Sequence, residues 1–373
     1  MNHATEIAAT KLTGPEPRIL LKRRYFGGCH KTPAQPFQNE RFLTIPMDRR
    51  SSHLKVTVAV LTRQRPDMLS SLLKSWGEMV LPENCSVQCL VVENDSAPNS
   101  EAAVRAYGDT LPNGAPLSYA LETEPGIPYG RNCAARIAIA QESDLLCFID
   151  DDETVASDWL DRLIAGYRAS SAVLLGAPLR AAPPSGKETA LQRLMLSNIN
   201  HRYLTKEKAA SKRATLEDTG GVTIVTNNWL GETRLFTDHD IWFDETMRMT
   251  GGTDAKFYAE TVAAGLATGW VNDAFVYEYI PAERLSFWYQ AARGRDQANT
   301  HMRRKMEQRP VKALIHIATA PLRIIVLAAL VILLPLQPQK RLIEIARTAG
   351  WLVGVLGIPF GYKSSLYKKI SGH

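Results

Sequence analysis

The sequence predicts an α/β domain whose mostly parallel central sheet is flanked by helices, with an apolar helical appendage at its C-terminal end. Three observations predict it. Apolar runs rich in β-branched residues alternate with amphipathic helical patterns between residues 55 and 177, as βαβ units require. Clusters of carboxylates stand directly after two of those runs, where a parallel sheet exposes its C-terminal edge. Residues 313–336 are mainly apolar.

The first strand is expected at Lys55 to Leu61, a run apolar enough to be buried on both faces. Pro66 and Asp67 open a helix whose Leu69, Leu72, Leu73 and Trp76 recur at helical spacing. A second buried strand, Val87 to Val92, ends in Glu93, Asn94, Asp95 and Ser96. Pro125-Gly126-Ile127-Pro128 breaks the chain ahead of an alanine-rich helix from Tyr129 to Ala140, and Leu145 to Ile149 forms the next apolar run. Ser157 is the expected N-cap of a helix carrying Trp159, Leu160, Leu163 and Ile164. Strands at Ala172 to Ala177, Gly221 to Thr226 and Trp270 to Tyr279 are interspersed with helices at 188–212 and 254–264. No internal repeat or low-complexity tract is present.

Of 373 residues, 45% are hydrophobic and 22% charged, enough to bury a full core. The formal charge of +6, from 44 basic and 38 acidic residues, is too small an excess to indicate a nucleic-acid partner. Cys29, Cys85, Cys89, Cys133 and Cys147 lack paired metal-ligand spacing, which implies free thiols in a reducing, cytoplasmic compartment and no zinc site. The first fifty residues contain no continuous apolar core, so no signal peptide is expected. Residues 1–53 read as an irregular extension, 54–300 as the main domain and 301–373 as a basic and apolar region. In that region His316, Pro321 and Arg323 interrupt the apolar stretch, 349–361 is too short to span a bilayer, and Arg303, Arg304, Lys305, Arg309, Lys312, Lys363, Lys368 and Lys369 flank both. The pattern suits an interfacial or re-entrant hairpin on an anionic membrane surface; a helix pair packed on the domain is the alternative.

Three constellations carry chemistry. Asp150-Asp151-Asp152-Glu153 follows a buried strand, and carboxylates so crowded repel one another unless a cation or hydrogen bonds intervene; oxygen donors at this spacing suit Mg²⁺ or Mn²⁺. A solvated acidic turn is the plainer account. Glu124 to Asn132 joins a Gly/Pro turn to a helix start bearing Arg131, an arrangement that favours anions when it is more than a turn. Thr250-Gly251-Gly252-Thr253-Asp254 delivers one carboxylate at a helix start, as a general base or as a simple N-cap.

The order Thr-Val-Ala-Val-Leu-Thr-Arg (57–63), Val-Val-Glu-Asn-Asp (91–95), Gly-Arg-Asn (130–132), Phe-Ile-Asp-Asp-Asp-Glu (148–153) and Gly-Gly-Thr-Asp (251–254) resembles the family 2 inverting glycosyltransferases of the Rossmann-like GT-A fold. Within them it is similar to bacterial exopolysaccharide glucosyltransferases of the succinoglycan type, over residues 54–300. The resemblance implies that Thr62 and Glu93 contact the base and ribose of a nucleotide sugar, with Asp95 and Asp151 beside them. It makes Arg131 a nucleotide or diphosphate contact, Asp150 a ribose contact that also borders the metal, Asp152 the metal ligand and Asp254 the catalytic base. Arg293 or Arg295 falls where basic residues close over the diphosphate. Thr253 stands where the family usually has an acid, and Tyr277 where a histidine often joins the metal shell. The implied partners are Mg²⁺ or Mn²⁺, a UDP-sugar, by resemblance UDP-glucose, and a polyprenyl diphosphate-linked saccharide met at the cytoplasmic face of the inner membrane. Two other readings are a catalytically impaired scaffold of a polysaccharide assembly and a sugar nucleotidyltransferase; Thr62-Arg63-Gln64-Arg65-Pro66 lacks the glycine-rich loop the latter requires.

Overall fold

A computed structural model describes residue 50, residues 52–248 and residues 252–362; the side chains of residues 304, 307 and 308 lie outside the description. Almost all of the expected N-terminal extension, Thr250-Gly251 and the lysines after 362 therefore lie outside the described residues.

Along the chain run β1 (Leu54–Thr62), α1 (Pro66–Gly77), β2 (Cys85–Asn94), α2 (Glu101–Arg105), β3 (Leu117–Glu122), α3 (Ile127–Ala140), β4 (Leu145–Asp150) and β5 (Glu153–Val155). There follow α4 (Trp159–Arg168), β6 (Leu174–Gly176), β7 (Leu179–Ala181), α5 (Ala190–Arg213), β8 (Trp229–Glu232), α6 (Arg234–Thr237), α7 (Thr253–Ala263), β9 (Thr268–Trp270) and β10 (Val276–Glu278). The described chain ends with α8 (Phe287–Gln308), α9 (Pro310–Ala318), α10 (Arg323–Leu333) and α11 (Pro338–Leu356).

A seven-stranded sheet has the order β3-β2-β1-β4-β8-β6-β9. The β3/β2, β2/β1, β1/β4 and β6/β9 pairs are parallel, whereas β8 runs antiparallel to both β4 and β6. The sheet is thus mostly parallel as expected, with one reversed strand that the sequence reading missed. Because β2 and β4 leave β1 on opposite sides, the strand order reverses there, and the crevice beyond their C-terminal ends is the natural ligand position. Register puts Leu61 opposite Asp150 and Thr62 opposite Glu93, so all three strand ends reach that crevice together.

Both faces of the sheet are covered, which is why β1 from Val58 to Leu61 and β4 up to Ile149 carry no polar residue. On one face α1 and α4 bury Leu69, Leu72, Leu73, Trp76, Trp159 and Tyr167. On the other, Phe148, Trp229, Phe236, Phe243 and Phe257 form an aromatic cluster against α3, with Phe243 stacked on Phe257 at 4.6 Å between centroids. Each such side chain contributes on the order of 1.5–3 kcal/mol by leaving water. Arg50 pairs with Glu232 at 2.9 Å, both buried, and covers the Tyr167 ring at 4.3 Å, which anchors the chain just before β1.

Three expectations need correction. Gly221 to Thr226 is not a strand, because Gly220 and Gly221 both adopt positive φ, 57° and 81°, and turn the backbone. Trp270 to Tyr279 is two strands in different sheets: β9 joins the large one, and after the turn residues Asn272 and Asp273, β10 joins β5 and β7 in a second sheet of order β5-β10-β7. Asp158, not Ser157, occupies the N-cap of α4, since the Ser157 carbonyl is directed to the Val80 N–H at 2.8 Å. The cap of α5 is Thr189, which forms a reciprocal capping box with Gln192.

The C-terminal helices build on α8. Glycines let α11 approach it closely: a methyl at Gly350 would collide with the Ala291 carbonyl and one at Gly354 with that of Arg295. Among the described residues no single helix is long and apolar enough to cross a membrane. Pro310–Ala318 and Ala320–Leu336 reach that length and composition only together, bent by 41°. In α10 no residue is buried, and Ile325 and Ile332 are 70% and 75% exposed.

Candidate active site

At the carboxyl end of β4 the chain turns tightly into β5, which sets Asp150, Asp151, Asp152 and Glu153 around one point. Oxygen atoms of Asp150, Asp152 and Glu153 all lie within 4.8 Å of one another. Glu153 bends back so that its carboxylate accepts the Asp150 backbone N–H at 2.7 Å. The donor set is carboxylate oxygen throughout, which fits a hard divalent cation such as Mg²⁺ or Mn²⁺.

Charge confirms the crowding. Asp150 is pushed up to about 7, first by the protein packed round it and then by Asp152, Asp151 and Asp254, with Arg131 opposing. Since 46% of its side chain still faces solvent, the like charges deserve more weight in that rise than burial. Glu153 is raised well above the usual carboxylate range by burial, then by Asp150 and Asp152. Burial also raises Asp151, against the pull of Arg65. A cation held by these groups would relieve each of these penalties.

Cationic side chains already brace the rim. Arg65, at the start of α1, lies 2.8 Å from Asp151 and 3.6 Å from Asp152. Thr62 Oγ1 donates to Asp151 at 2.9 Å across the β1/β4 boundary. Arg284 donates to Asp152 at 2.9 Å and approaches Glu278 at 3.6 Å. Arg65, Arg284 and Glu278 were not assigned to the rim from the sequence. Glu153 was visible in the acidic block, whereas Arg284 lies 132 positions from Asp152 and carried no signal.

Arg131 joins the rim to the later part of the chain. Its guanidinium donates to Thr253 Oγ1 at 2.9 Å and lies 4.0 Å from Asp150. Asp254 follows Thr253 on α7, and its charge is felt at Asp150. The helix N-cap is Gly252, in the left-handed conformation, so Asp254 is not the cap; its Oδ1 accepts the neighbouring Ala255 N–H at 2.8 Å.

The remaining expected residues divide. Glu93 is fully buried and binds the loop after β2: its carboxylate accepts the Asn99 and Ser100 N–H groups, the Ser100 hydroxyl and, at 2.7 Å, the Tyr119 hydroxyl. Asp95, in the same loop, accepts Gln64 at 2.6 Å and Asn99 at 3.1 Å and lies 3.7 Å from Arg63. Arg295 turns away from the rim, toward Asp296 at 2.9 Å and the Tyr362 ring at 4.9 Å. Arg293 acts electrostatically on Glu278. Tyr277 points to Arg180, because alternation along β10 sends Glu278, not Tyr277, to the side of Asp152. Cys85, Cys89, Cys133 and Cys147 are free, with no zinc-type cluster among the described residues.

Residues 57–232 match the model of glycosyl transferase family 2. The chain is 27% identical over 252 residues to the succinoglycan biosynthesis protein ExoM of Rhizobium meliloti (strain 1021), a stretch that covers 67% of this chain and 75% of that protein. It shares the fold of the mannosyltransferase PcManGT from Pyrobaculum calidifontis, solved with GDP-Man and Mn²⁺, at TM-score 0.54 and 16% identity over 83% of this chain and 88% of that one. S. aureus TarS 1-349 with UDP-GlcNAc aligns at TM-score 0.46 and 18% identity over 61% of this chain and 59% of that one. The acidic strand end at the sheet's reversal point thus lies within the stretch, residues 57–232, that matches glycosyl transferase family 2, and the enzyme is a glycosyltransferase.

Proposed function

We propose that the enzyme is an inverting transferase that moves a sugar from a UDP-sugar, with UDP-glucose the choice by resemblance, to a polyprenyl diphosphate-linked saccharide in exopolysaccharide or cell-surface polysaccharide synthesis. The observation that carries this reading is the reach of Arg131 from Asp150 to Thr253, which ties the acidic rim to the helix start bearing Asp254.

In this reading Asp150, Asp152 and Glu153 hold Mg²⁺ or Mn²⁺, which when bound neutralises the charge on a departing diphosphate. Thr62, Asp151 and Asp95 line the nucleotide side of the crevice, and Glu93 positions the loop that carries Asp95. Arg131 and Arg284 lie where a diphosphate would meet positive charge; this role moves from Arg295 to Arg284. Asp254 accepts the proton of an acceptor hydroxyl as its oxygen attacks the anomeric carbon. The bond to the nucleoside diphosphate breaks in the same displacement, and the configuration at that carbon inverts. The exposed apolar face of α9 and α10 supports contact with the cytoplasmic face of a membrane, where a lipid-linked acceptor is met.

The test is nucleoside diphosphate release from a panel of UDP- and GDP-sugars with a lipid-linked acceptor, with and without Mn²⁺, for the native chain and Asp254→Asn. Release that survives the substitution unchanged removes Asp254 as the base.

A further inference from the structure

Arg65, Arg131 and Arg284 answer the carboxylates of the rim, but a second group of cations has no such partner. Arg202 and Lys206 on α5, Arg293 on α8 and Arg347 on α11 stand close enough to feel one another's charge and that of Glu278. Close packing of α8 on α11 brings them there, for a methyl at Gly294 would meet the Arg347 carbonyl at 2.7 Å. Among the described residues none of the four forms an ion pair with a carboxylate. Their crowding shows at Arg347, which is pushed down to about 9 by burial and then by the neighbouring guanidiniums of Arg202 and Arg293. Tyr203, Glu278 and Glu344 are the groups that oppose this, and Glu344 is itself paired with Arg341 at 2.7 Å. Cations kept together against their repulsion are what an anion site requires.

A cavity opens beside them. It measures about 410 Å³ and is lined by Arg202, Arg347, Arg323, His301, Glu344 and Trp351, among others. Arg323 lies over the Trp351 ring at 3.8 Å and is the first residue of α10, so the exposed Ile324, Ile325 and Val326 begin at the mouth of the cavity. Arg347, in its lining, is linked to the rim by hydrogen bonds. Gln290, fully buried, accepts from Arg347 at 3.0 Å and donates to the Arg284 carbonyl at 2.8 Å, and Arg284 holds Asp152.

We propose that this pocket between α5, α8 and α11 binds the phosphate or diphosphate group of the acceptor lipid through Arg202, Arg323 and Arg347, with the hydrocarbon chain lying along the exposed face of α10. The inference rests on the lipid-linked acceptor proposed above and adds where its anionic group is held. Positive lining and an adjoining apolar strip match a ligand with an anionic head and a hydrocarbon tail, and the volume is that of an ordinary ligand pocket.

The experiment is titration calorimetry on the full chain in EDTA, which keeps diphosphates from binding through a divalent cation. The probes are farnesyl diphosphate, inorganic pyrophosphate and phosphatidylglycerol vesicles. Farnesyl diphosphate is expected to bind, and Arg347→Gln and Arg202→Gln to weaken it at least tenfold. Arg202 is exposed at the cavity wall, so its substitution leaves the core intact if Arg347→Gln fails to fold. Pyrophosphate binding that both variants abolish would support the anion site and remove α10 from it. Substitutions that affect vesicle binding alone would overturn the proposal in favour of a bulk lipid headgroup, and equal farnesyl diphosphate affinity in all three proteins would overturn it outright. Should the native chain transfer sugar from no nucleotide donor while the substitutions still abolish binding, the proposed reaction fails and the pocket stands. Transfer with unaltered binding has the opposite meaning.

Discussion

Arg131 donates to Thr253 at 2.9 Å, a hydrogen bond that spans 122 positions of sequence and sets α7 against the carboxyl end of β4. The same guanidinium lies 4.0 Å from Asp150 and 5.5 Å from the centroid of the Phe243 ring, so its plane is fixed from three sides. Lysine offers a point charge and no planar fork. A hydrogen bond from a charged donor contributes about 1.5–3 kcal/mol, so Arg131→Lys should lower kcat/KM for transfer roughly ten- to hundredfold. An unchanged kcat/KM in a nucleotide-release assay would show that Arg131 does not align the two halves of the site.

Asp254→Asn keeps the shape of the side chain and removes its basicity. Transfer should fall by roughly 10²–10⁴ in kcat, the usual contribution of a general base. Affinity for the nucleoside diphosphate should stay within about twofold, because the base proposed for Asp254 acts on the acceptor hydroxyl and not on the nucleotide. Calorimetry beside the rate assay separates these effects, and a comparable loss in both would reassign Asp254 to donor binding.

The acidic rim makes the metal-free protein pH-sensitive. Asp150 titrates near 7 in the folded chain, above the ordinary carboxylate value of 3.8, so the folded state holds more protons over that interval. Stability is therefore greatest below about 4 with respect to this group and declines as pH rises through 7. Glu153 is displaced in the same direction. Mn²⁺ should raise the melting temperature more at pH 8 than at pH 5.5, where protons already neutralise the rim. Equal shifts at both pH values, measured by scanning fluorimetry, would argue against a cation there.

Where α8 crosses α11, no room exists for a side chain at Gly350. Gly350→Val should cost about 1–3 kcal/mol through overpacking and lower Tm by roughly 2–10 °C in a chain of this size. Thermal melts decide the matter; a variant as stable as the native chain would mean that the two helices can separate freely.

If α10 rests in a membrane interface, Ile325→Asp with Ile332→Asp removes two of its most exposed apolar side chains. Each contributes on the order of 1.5–3 kcal/mol on leaving water, so partition into anionic vesicles should drop at least tenfold in a sedimentation assay. Undiminished partition would place the membrane contact elsewhere.

Several parts of the fold were legible because they depend on neighbours in sequence. The runs at β1, β2 and β4 and the stripe of Leu69, Leu72, Leu73 and Trp76 follow from local periodicity alone. So does the acidic block at the end of β4, where a buried strand must release its polar residues. β8 was missed because Trp-Leu-Gly-Glu is too short to show a period, and only its place between β4 and β6 makes it a strand.

By itself, then, the sequence determined the alternation of strands and helices, the position of the acidic rim at a strand end and the apolar character of residues 313–336. Only the tertiary structure decided which arginine serves the rim: Arg284 reaches Asp152, while Arg295 turns to Asp296. It likewise decided that Glu278 rather than Tyr277 faces Asp152, and that Arg202 and Arg347 line one cavity. The physical reason is range. Hydrophobic period acts over a few residues and is written in order along the chain, whereas an ion pair forms between whichever charges the packing of distant elements brings within a few ångströms.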